Sequence, residues 1–434
     1  MRKNLKFEVL SKRKIMSSIL IKNIKQLVGI ARAEELQSAF YGARISKLES
    51  VENAYLWIVD DKIKSFGSMQ DELARKLDLP NTTLILDAGG RIVLPGYVDS
   101  HTHLVFAATR EKEFCDRING LSYEEIAARG GGILNSARKM KLASEEQLLE
   151  AAWIRLQEVI KQGTTAIEIK SGYGLDVENE LKMLRVIRRL KEISPISIKT
   201  TLLAGHAYPM DYRENHEGFL KIVEEELIPN VAREGLADYI DVFCEKGFFS
   251  VEETARIMDA GAKFGMKSKI HANQLHHSGG IEIGVAKGAI SVDHCECVGE
   301  TEISALKGSA TLPTLLPGAA FFLGIGYQPG RKMIDAGLPI VLASDYNPGS
   351  CPSGNMNFVM SLACTQMKLT PAEALHASTI NGAHALELGH QMGAICEGYA
   401  ANVLITEPME DYSVIPYSFG TNRIEKVIVN GKLL

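Results

Sequence analysis

Along the middle of this 434-residue chain, eight short apolar runs rich in β-branched residues follow one another, at 92–99, 164–169, 198–204, 239–244, 267–271, 290–293, 310–316 and 339–344. A strand covered on both faces is apolar throughout rather than alternating, so runs of this kind belong to a parallel sheet. Between several of them lie amphipathic helical patterns, among them SEEQLLEAAWIRLQEVIKQG and VENELKMLRVIRRLKEI. The first opens on a Ser-x-x-Gln capping pattern and stops at Gly163. Eight strands in strand–helix alternation predict an α/β fold, a (β/α)8 TIM-type barrel over residues 94–385.

The flanks have a different character. AYLWIVDDKIKSFG (54–67) is an apolar run, an Asp-Asp turn and a second run, which is a hairpin signal. TLILDAGGRIVLPG (83–96) has the same character, and RIEKVIVNGKLL near the C-terminus carries an Asn-Gly turn. Residues 16–93 and 386–434 are therefore expected to form one small β-sandwich from both ends of the chain. The first fifteen residues are basic and lack a continuous apolar stretch, so they predict a tail rather than a signal peptide.

The polar residues fall at the ends of the predicted strands, where a barrel of this type places its chemistry. VDSHTHLVF puts His101 and His103 on the same side of an extended strand. An isolated pair like that is more often ordinary than metal-binding. Here, however, His206 follows strand three, His271 and Gln274 strand five, His294 strand six and Asp345 strand eight, with Tyr173 after strand two. As packing residues, each would need its own hydrogen-bond partner. A shared metal ion explains them together, and imidazoles with a carboxylate suit zinc, with iron as the alternative. HCEC (294–297) lacks a second cysteine pair, so Cys295 and Cys297 read as ordinary strand-end residues. Seven scattered cysteines fit reduced thiols in a cytoplasm. A net charge of -5 with no basic face argues against nucleic acid as a partner, and no apolar run reaches membrane-spanning length.

Several longer motifs carry a specific resemblance: DSHTHLVFAATREKEF, GGGI at 130–133, EIKSGYGLDVENELKMLRV, AGHAYP, DVFCEKGFF, SVDH and LASDYNPGSCPSGNMNF. Together they resemble the amidohydrolase superfamily and, within it, the imidazolonepropionase family, over nearly the whole chain from about residue 16. The H-x-H marks only the superfamily, whereas KSGYGL, Arg110 and SDYNPGS mark the narrower family. The resemblance implies one divalent or trivalent metal ion, zinc or iron, held by His101, His103, His271 and Asp345. It implies substrate contacts from Arg110, Tyr123, Tyr173, His206, Asn347, Gly349 and Ser350, with His294 beside the reacting carbonyl. The implied reaction is hydrolytic ring opening of 4-imidazolone-5-propanoate to N-formimidoyl-L-glutamate in histidine degradation, by a cytoplasmic homodimer.

The chemistry of the residues agrees with that expectation. Arg110 can hold the substrate's carboxylate bidentately; its bland alternative is a surface salt bridge with Glu111 or Glu113. Asp345 and His294 are the expected proton acceptor and carbonyl partner, with Gln274 and His206 as further catalytic candidates. Gln274 is a departure, because the family usually carries glutamate three residues after the strand-five histidine. A neutral amide binds a ring N–H and carbonyl but shuttles no proton. A hydrolase or deaminase of a related cyclic amide is therefore the alternative reading, and a non-catalytic barrel a third. Lys170 raises the question of a lysine-bridged two-metal site, and His276 and His277 are expected to be solvated or capping residues.

Overall fold

The computed structural model describes residues 17–434 apart from 72–73, 75–76, 122–124 and 126–130. The basic segment 1–15, Tyr123 and Gly130 lie outside the described residues. The N-terminal flank forms strands β1 (Ser18–Val28), β2 (Ser50–Val59), β3 (Lys62–Ser68), β4 (Leu84–Asp87) and β5 (Ile92–Pro95). The barrel strands follow as β6 (Tyr97–Asp99), β7 (Thr164–Lys170), β8 (Ser197–Gly205), β9 (Tyr239–Cys244), β10 (Lys267–Ala272), β11 (Ser291–His294), β12 (Leu312–Leu315) and β13 (Val341–Leu342). The C-terminal flank adds β14 (Val403–Thr406), β15 (Ile424–Val429) and β16 (Lys432–Leu433).

β6 to β13 lie side by side in chain order, all parallel. Every residue of β7, β9, β11 and β12 is buried, as the unbroken apolar runs required. The barrel is brought to closure by backbone contacts between its first and last strands. Asp345 N–H donates to His101 O at 3.0 Å, and His103 N–H to Tyr346 O at 2.9 Å. Helices cover the outside. The one at Glu145–Lys161 starts at Ser144, whose hydroxyl accepts Gln147 N–H in a full capping box. Its buried stripe is Leu148, Ala152, Leu156 and Val159, and it ends before Gly163 at a φ of 107°.

The flanking strands form one mixed sheet in the order β16-β15-β14-β5-β1-β2-β3, with β4 also on β1. Both chain ends contribute to its core, including Ile21, Leu56 and Val93 from one end and Val403, Ile405 and Ile428 from the other. Two expectations need correction. The run 92–99 is two strands rather than one: β5 pairs with β14 in the small sheet, and β6 pairs with β7 in the barrel. Gly96 sits between them because a Cβ there would lie 2.3 Å from the Thr165 side chain. Segment 83–96 is not a hairpin either. β4 and β5 both run parallel to β1, the first against Ile19–Lys22 and the second against Gln26 and Leu27. The register of β1 shifts between Ile21 and Ile24, where Asn23 has a φ of 55° and accepts Gly90 N–H at 3.0 Å. The glycine pair thus steps the chain along β1 instead of reversing it. The Asp-Asp and Asn-Gly turns do form the hairpins β2–β3 and β15–β16.

Among the described residues no helix is long and apolar enough to cross a membrane, and the seven cysteines are free thiols. Gly96→Ala should lower stability by about 1–3 kcal/mol through overpacking against Thr165. A denaturant midpoint equal to wild type would show that the junction between the two sheets gives way without cost.

Candidate metal and substrate site

The chain leaves β6 into His101 and His103, both buried. His101 Nδ1 lies 2.6 Å from Asp293 Oδ2, and His271, on β10, sets Nδ1 3.0 Å from Asp241 Oδ2. The carboxylate hydrogen-bonded to His101 Nδ1 holds the ring proton there and leaves Nε2 as a lone pair, whereas Asp241 meets His271 Nδ1 at ion-pair distance without hydrogen-bond geometry. The Nε2 atoms of His271 and His103 approach to 3.3 Å, and Asp345 Oδ1 lies 3.6 Å from His101 Nε2 and 3.7 Å from His103 Nε2. Burial, foremost, holds His101 and His103 well below the usual histidine range, so these rings are neutral. His101 Nε2 is buried with no hydrogen-bond partner in the protein. Acceptors crowded together in a dry interior are costly without a positive centre between them. Their spacing is that of ligand atoms each about 2.1 Å from one ion. The donor set therefore fits a metal ion. Among the described residues, two overlapping triads have the required proximity, His101–His103–Asp345 and His101–His271–His294. The first includes a carboxylate, which matches the charge of a divalent cation better.

His294 stands at the edge of this cluster with Nδ1 3.4 Å from Glu296 Oε1. Burial alone would lower its pKa, but Glu296, Asp345 and Asp293 outweigh it and hold His294 above the usual value. His206 is the reverse case. Its Nδ1 faces Gly172 O at 2.8 Å, and burial, then His271, push its pKa down to about 3. One histidine is thus disposed to carry charge and the other to stay neutral.

The Ser-Gly-Tyr-Gly loop after β7 presents Tyr173, buried, with its ring 5.9 Å from that of His103 and 5.3 Å from that of His206. The loop is held by Glu180, on the helix Val177–Ile193. Its carboxylate accepts the N–H groups of Gly172, Gly174 and Leu175 at 2.9, 2.6 and 3.0 Å. A Cβ on Gly174 would lie 2.3 Å from Glu180 N, so the loop requires glycine there. Sequence reasoning missed Glu180, although an acid in the first helical turn after a glycine-rich loop was the available signal.

After β13, Asp345 adopts a φ of 58°, and Ser350 Oγ donates to its Oδ2 at 3.1 Å. Asn347 lines the cavity, yet its amide is engaged by its own loop. Nδ2 donates to Asp345 O and Ser350 Oγ, both at 2.7 Å, and Oδ1 accepts Gly349 and Ser350 N–H. Asn347 and Ser350 therefore orient Asp345. A cavity of about 400 Å³ opens over the cluster. His103, His206, His271, His294, Tyr173, Gln274, Asp345, Asn347, Gly349, Ser350 and Arg110 all line it, with Phe243, Phe248 and Ile325 as apolar walls. Arg110 makes neither of the salt bridges weighed for it. Its Nε donates to Ser136 Oγ at 2.9 Å, and its guanidinium lies 5.8 Å from the Tyr173 ring centre. Arg117 is a second cation on the cavity wall, two helical turns along from Arg110, and was not foreseen.

Three other groups have defined contacts. Cys295 and Cys297 point at the carbonyls of Val292 and Gln274 and form no thiolate cluster. His276 and His277 are half-exposed or more and pair with Glu245 and Glu302 at 3.0 and 2.7 Å. Lys170 is fully buried between Glu168 and Asp241, at 2.7 and 2.8 Å.

Residues 92–434 match the model of the amidohydrolase family. The chain belongs to that family. An imidazolonepropionase of Flavobacterium johnsoniae is 53% identical to it over 415 residues, covering 96% of this chain and 99% of that protein. One of Christiangramia forsetii is 49% identical over 419 residues, covering 96% and 100%. Within the amidohydrolases, the chain thus belongs with the imidazolonepropionases. Among solved structures, an adenosine deaminase from Xanthomonas campestris with bound zinc shares the fold at a TM-score of 0.69 and 16% identity, over 96% of this chain and 92% of that one.

Alanine at His101, His271 or Asp345 should remove most of the bound metal, measured by elemental analysis after dialysis. Stoichiometric metal in all three variants would refute this ligand set.

Proposed function

We infer that the chain hydrolyses the ring of 4-imidazolone-5-propanoate to give N-formimidoyl-L-glutamate, a step of histidine degradation. The observation that carries this reading is a cavity with two ends of different chemistry. One end presents His103, His271 and Asp345, with His101 packed directly behind them, and the other a guanidinium, Arg110, for a carboxylate. The substrate has a reactive cyclic amide and a propanoate tail, which match these two ends.

His101, His103, His271 and Asp345 would hold the ion, zinc or alternatively iron. When bound, it would lower the pKa of a water molecule and polarise the ring carbonyl. With Nε of Arg110 engaged by Ser136, the two terminal nitrogens make no hydrogen bond among the described residues and would take the propanoate. Tyr173 and His206 border the ring's position, and His206, held neutral, offers Nε2 as an acceptor. Asp345, its Oδ2 held by Ser350, takes the proton of the attacking water and passes it to the departing ring nitrogen. His294, favoured in its charged form by Glu296, donates to the carbonyl oxygen as negative charge develops there. The C–N bond of the ring breaks, and the water oxygen remains in the new carboxylate. Gln274 fixes the ring through its amide and carries no proton. That also disfavours the deaminase reading, which needs a carboxylate at this position. The seven free thiols support a reducing compartment such as the cytoplasm. A homodimer without nucleic-acid or membrane partners is expected, and sedimentation tests the dimer.

Freshly prepared imidazolonepropionate given to metal-replete protein should yield N-formimidoyl-L-glutamate, and no turnover would defeat the proposal. Arg110→Ala should raise KM for this substrate roughly tenfold or more. It should matter far less for an imidazolone lacking the side-chain acid, and an equal penalty on both would make Arg110 structural. Gln274→Glu should stay active and gain a pH-dependent limb in its rate profile that wild type lacks. Superimposable profiles would place position 274 outside the proton path.

A further inference from the structure

Beneath the histidine cluster lies a buried group of five charges: Glu168, Asp241 and Asp293 with Lys170 and Lys269, all fully inaccessible. We propose that Lys170 is a positioning residue for the metal centre, acting through the two carboxylates that orient His101 and His271.

The contacts converge on single atoms. Lys170 Nζ lies 2.8 Å from Asp241 Oδ2, and the same oxygen lies 3.0 Å from His271 Nδ1. Lys170 Nζ also lies 3.6 Å from Asp293 Oδ2, the oxygen that stands 2.6 Å from His101 Nδ1. One ammonium therefore faces both oxygens that fix the imidazoles. The second oxygen of each carboxylate is engaged as well. Asp241 Oδ1 accepts the backbone N–H of His271 at 3.2 Å, and Asp293 Oδ1 accepts Ser291 Oγ at 2.5 Å. Lys170 is itself held by Glu168 Oε1 at 2.7 Å. Glu168 in turn is held from its other oxygen by Lys269, which also donates to Ser100 O at 2.8 Å. Ser100 directly precedes His101.

The physical consequence is geometric. A carboxylate orients an imidazole only if its own position is fixed, and two buried carboxylates with no cation between them repel each other and rotate apart. Lys170 sits between them, offsets their charge and aims each oxygen at its ring. That fixes the Nδ1–H tautomer of His101 through its hydrogen bond and sets a carboxylate against the Nδ1 side of His271, so that the Nε2 atoms of both rings face the same cluster. An ammonium committed in this way is not available as a bridging ligand, which sets this chain apart from a lysine-bridged two-metal site.

The inference rests on the metal-site reading, so its test uses zinc alone, without substrate. Zinc affinity is measured by chelator competition on the full chain, alongside the melting temperature of the metal-free protein. Lys170→Met should weaken zinc binding about ten- to hundredfold. Asp241→Asn and Asp293→Asn should each weaken it too. Adding Lys170→Met to the Asp241→Asn/Asp293→Asn double variant should cost little more, because the carboxylates through which it acts are gone. If Lys170→Met alone does not fold, Lys170→Met/Glu168→Gln removes one charge of each sign and should show the same loss. A folded Lys170 variant that lowers only the metal-free melting temperature and binds zinc like wild type would overturn the inference, as would losses that multiply fully with those of the carboxylate variants. A wild type that takes up no zinc would overturn the metal-site reading itself.

Discussion

The structure depends on the seam that closes the barrel. β13 is only two residues long, too short to complete a ladder with β6 by itself. The joint is made instead by Asp99, whose carboxylate accepts the N–H and hydroxyl of Ser344 at 3.0 and 2.5 Å, and by the backbone bonds that run from Asp345 to His101 and from His103 to Tyr346. Three of the four residues that would bind the ion, His101, His103 and Asp345, are thus residues of the seam, while His271 faces them from β10 on the far side of the barrel. First and last strands meet where His101, His103 and Asp345 must meet, so barrel closure brings these three together and sets them facing His271. A buried cation shared by these side chains would fasten the seam further, because it binds the folded arrangement and has no comparable site in the open chain.

Much of this was legible in the sequence, for a definable reason. A barrel puts its chemistry at strand ends, and a strand end can be located from apolar runs alone. His101, His103, His206, His271, His294 and Asp345 were picked out that way, and the structure sets all but His101 on the wall of one cavity, with His101 packed directly behind them. The errors came where local pattern is ambiguous. An apolar run carries no mark of which sheet it joins, so 92–99 read as one strand although Gly96 divides it between two. A run–turn–run pattern carries no mark of strand direction, so 83–96 read as a hairpin although both halves lie parallel to β1.

Residues that act through others were the least legible. Glu180, Arg117 and Lys170 have roles set by partners distant in sequence or by the shape of a loop. Lys170 binds Asp241 across the barrel interior, and no spacing along the chain encodes that pairing. Arg110 is the intermediate case. Its acidic neighbours made a local salt bridge plausible, but Glu111 is engaged by Thr109 and Glu113 by Asn135, which leaves the guanidinium to the cavity.

The small sheet has a bearing on how the chain folds as it is synthesised. Its central strand β5 pairs on one side with β1, near in sequence, and on the other with β14, hundreds of residues later. Until β14 leaves the ribosome, β5 has an open edge of unpaired N–H and C=O groups beside an apolar face. A nascent chain stalled before that point would carry a nearly complete barrel attached to an adhesive half-sheet. Such chains are natural clients for chaperones that shield strand edges, and truncated products should be prone to coaggregate through β5.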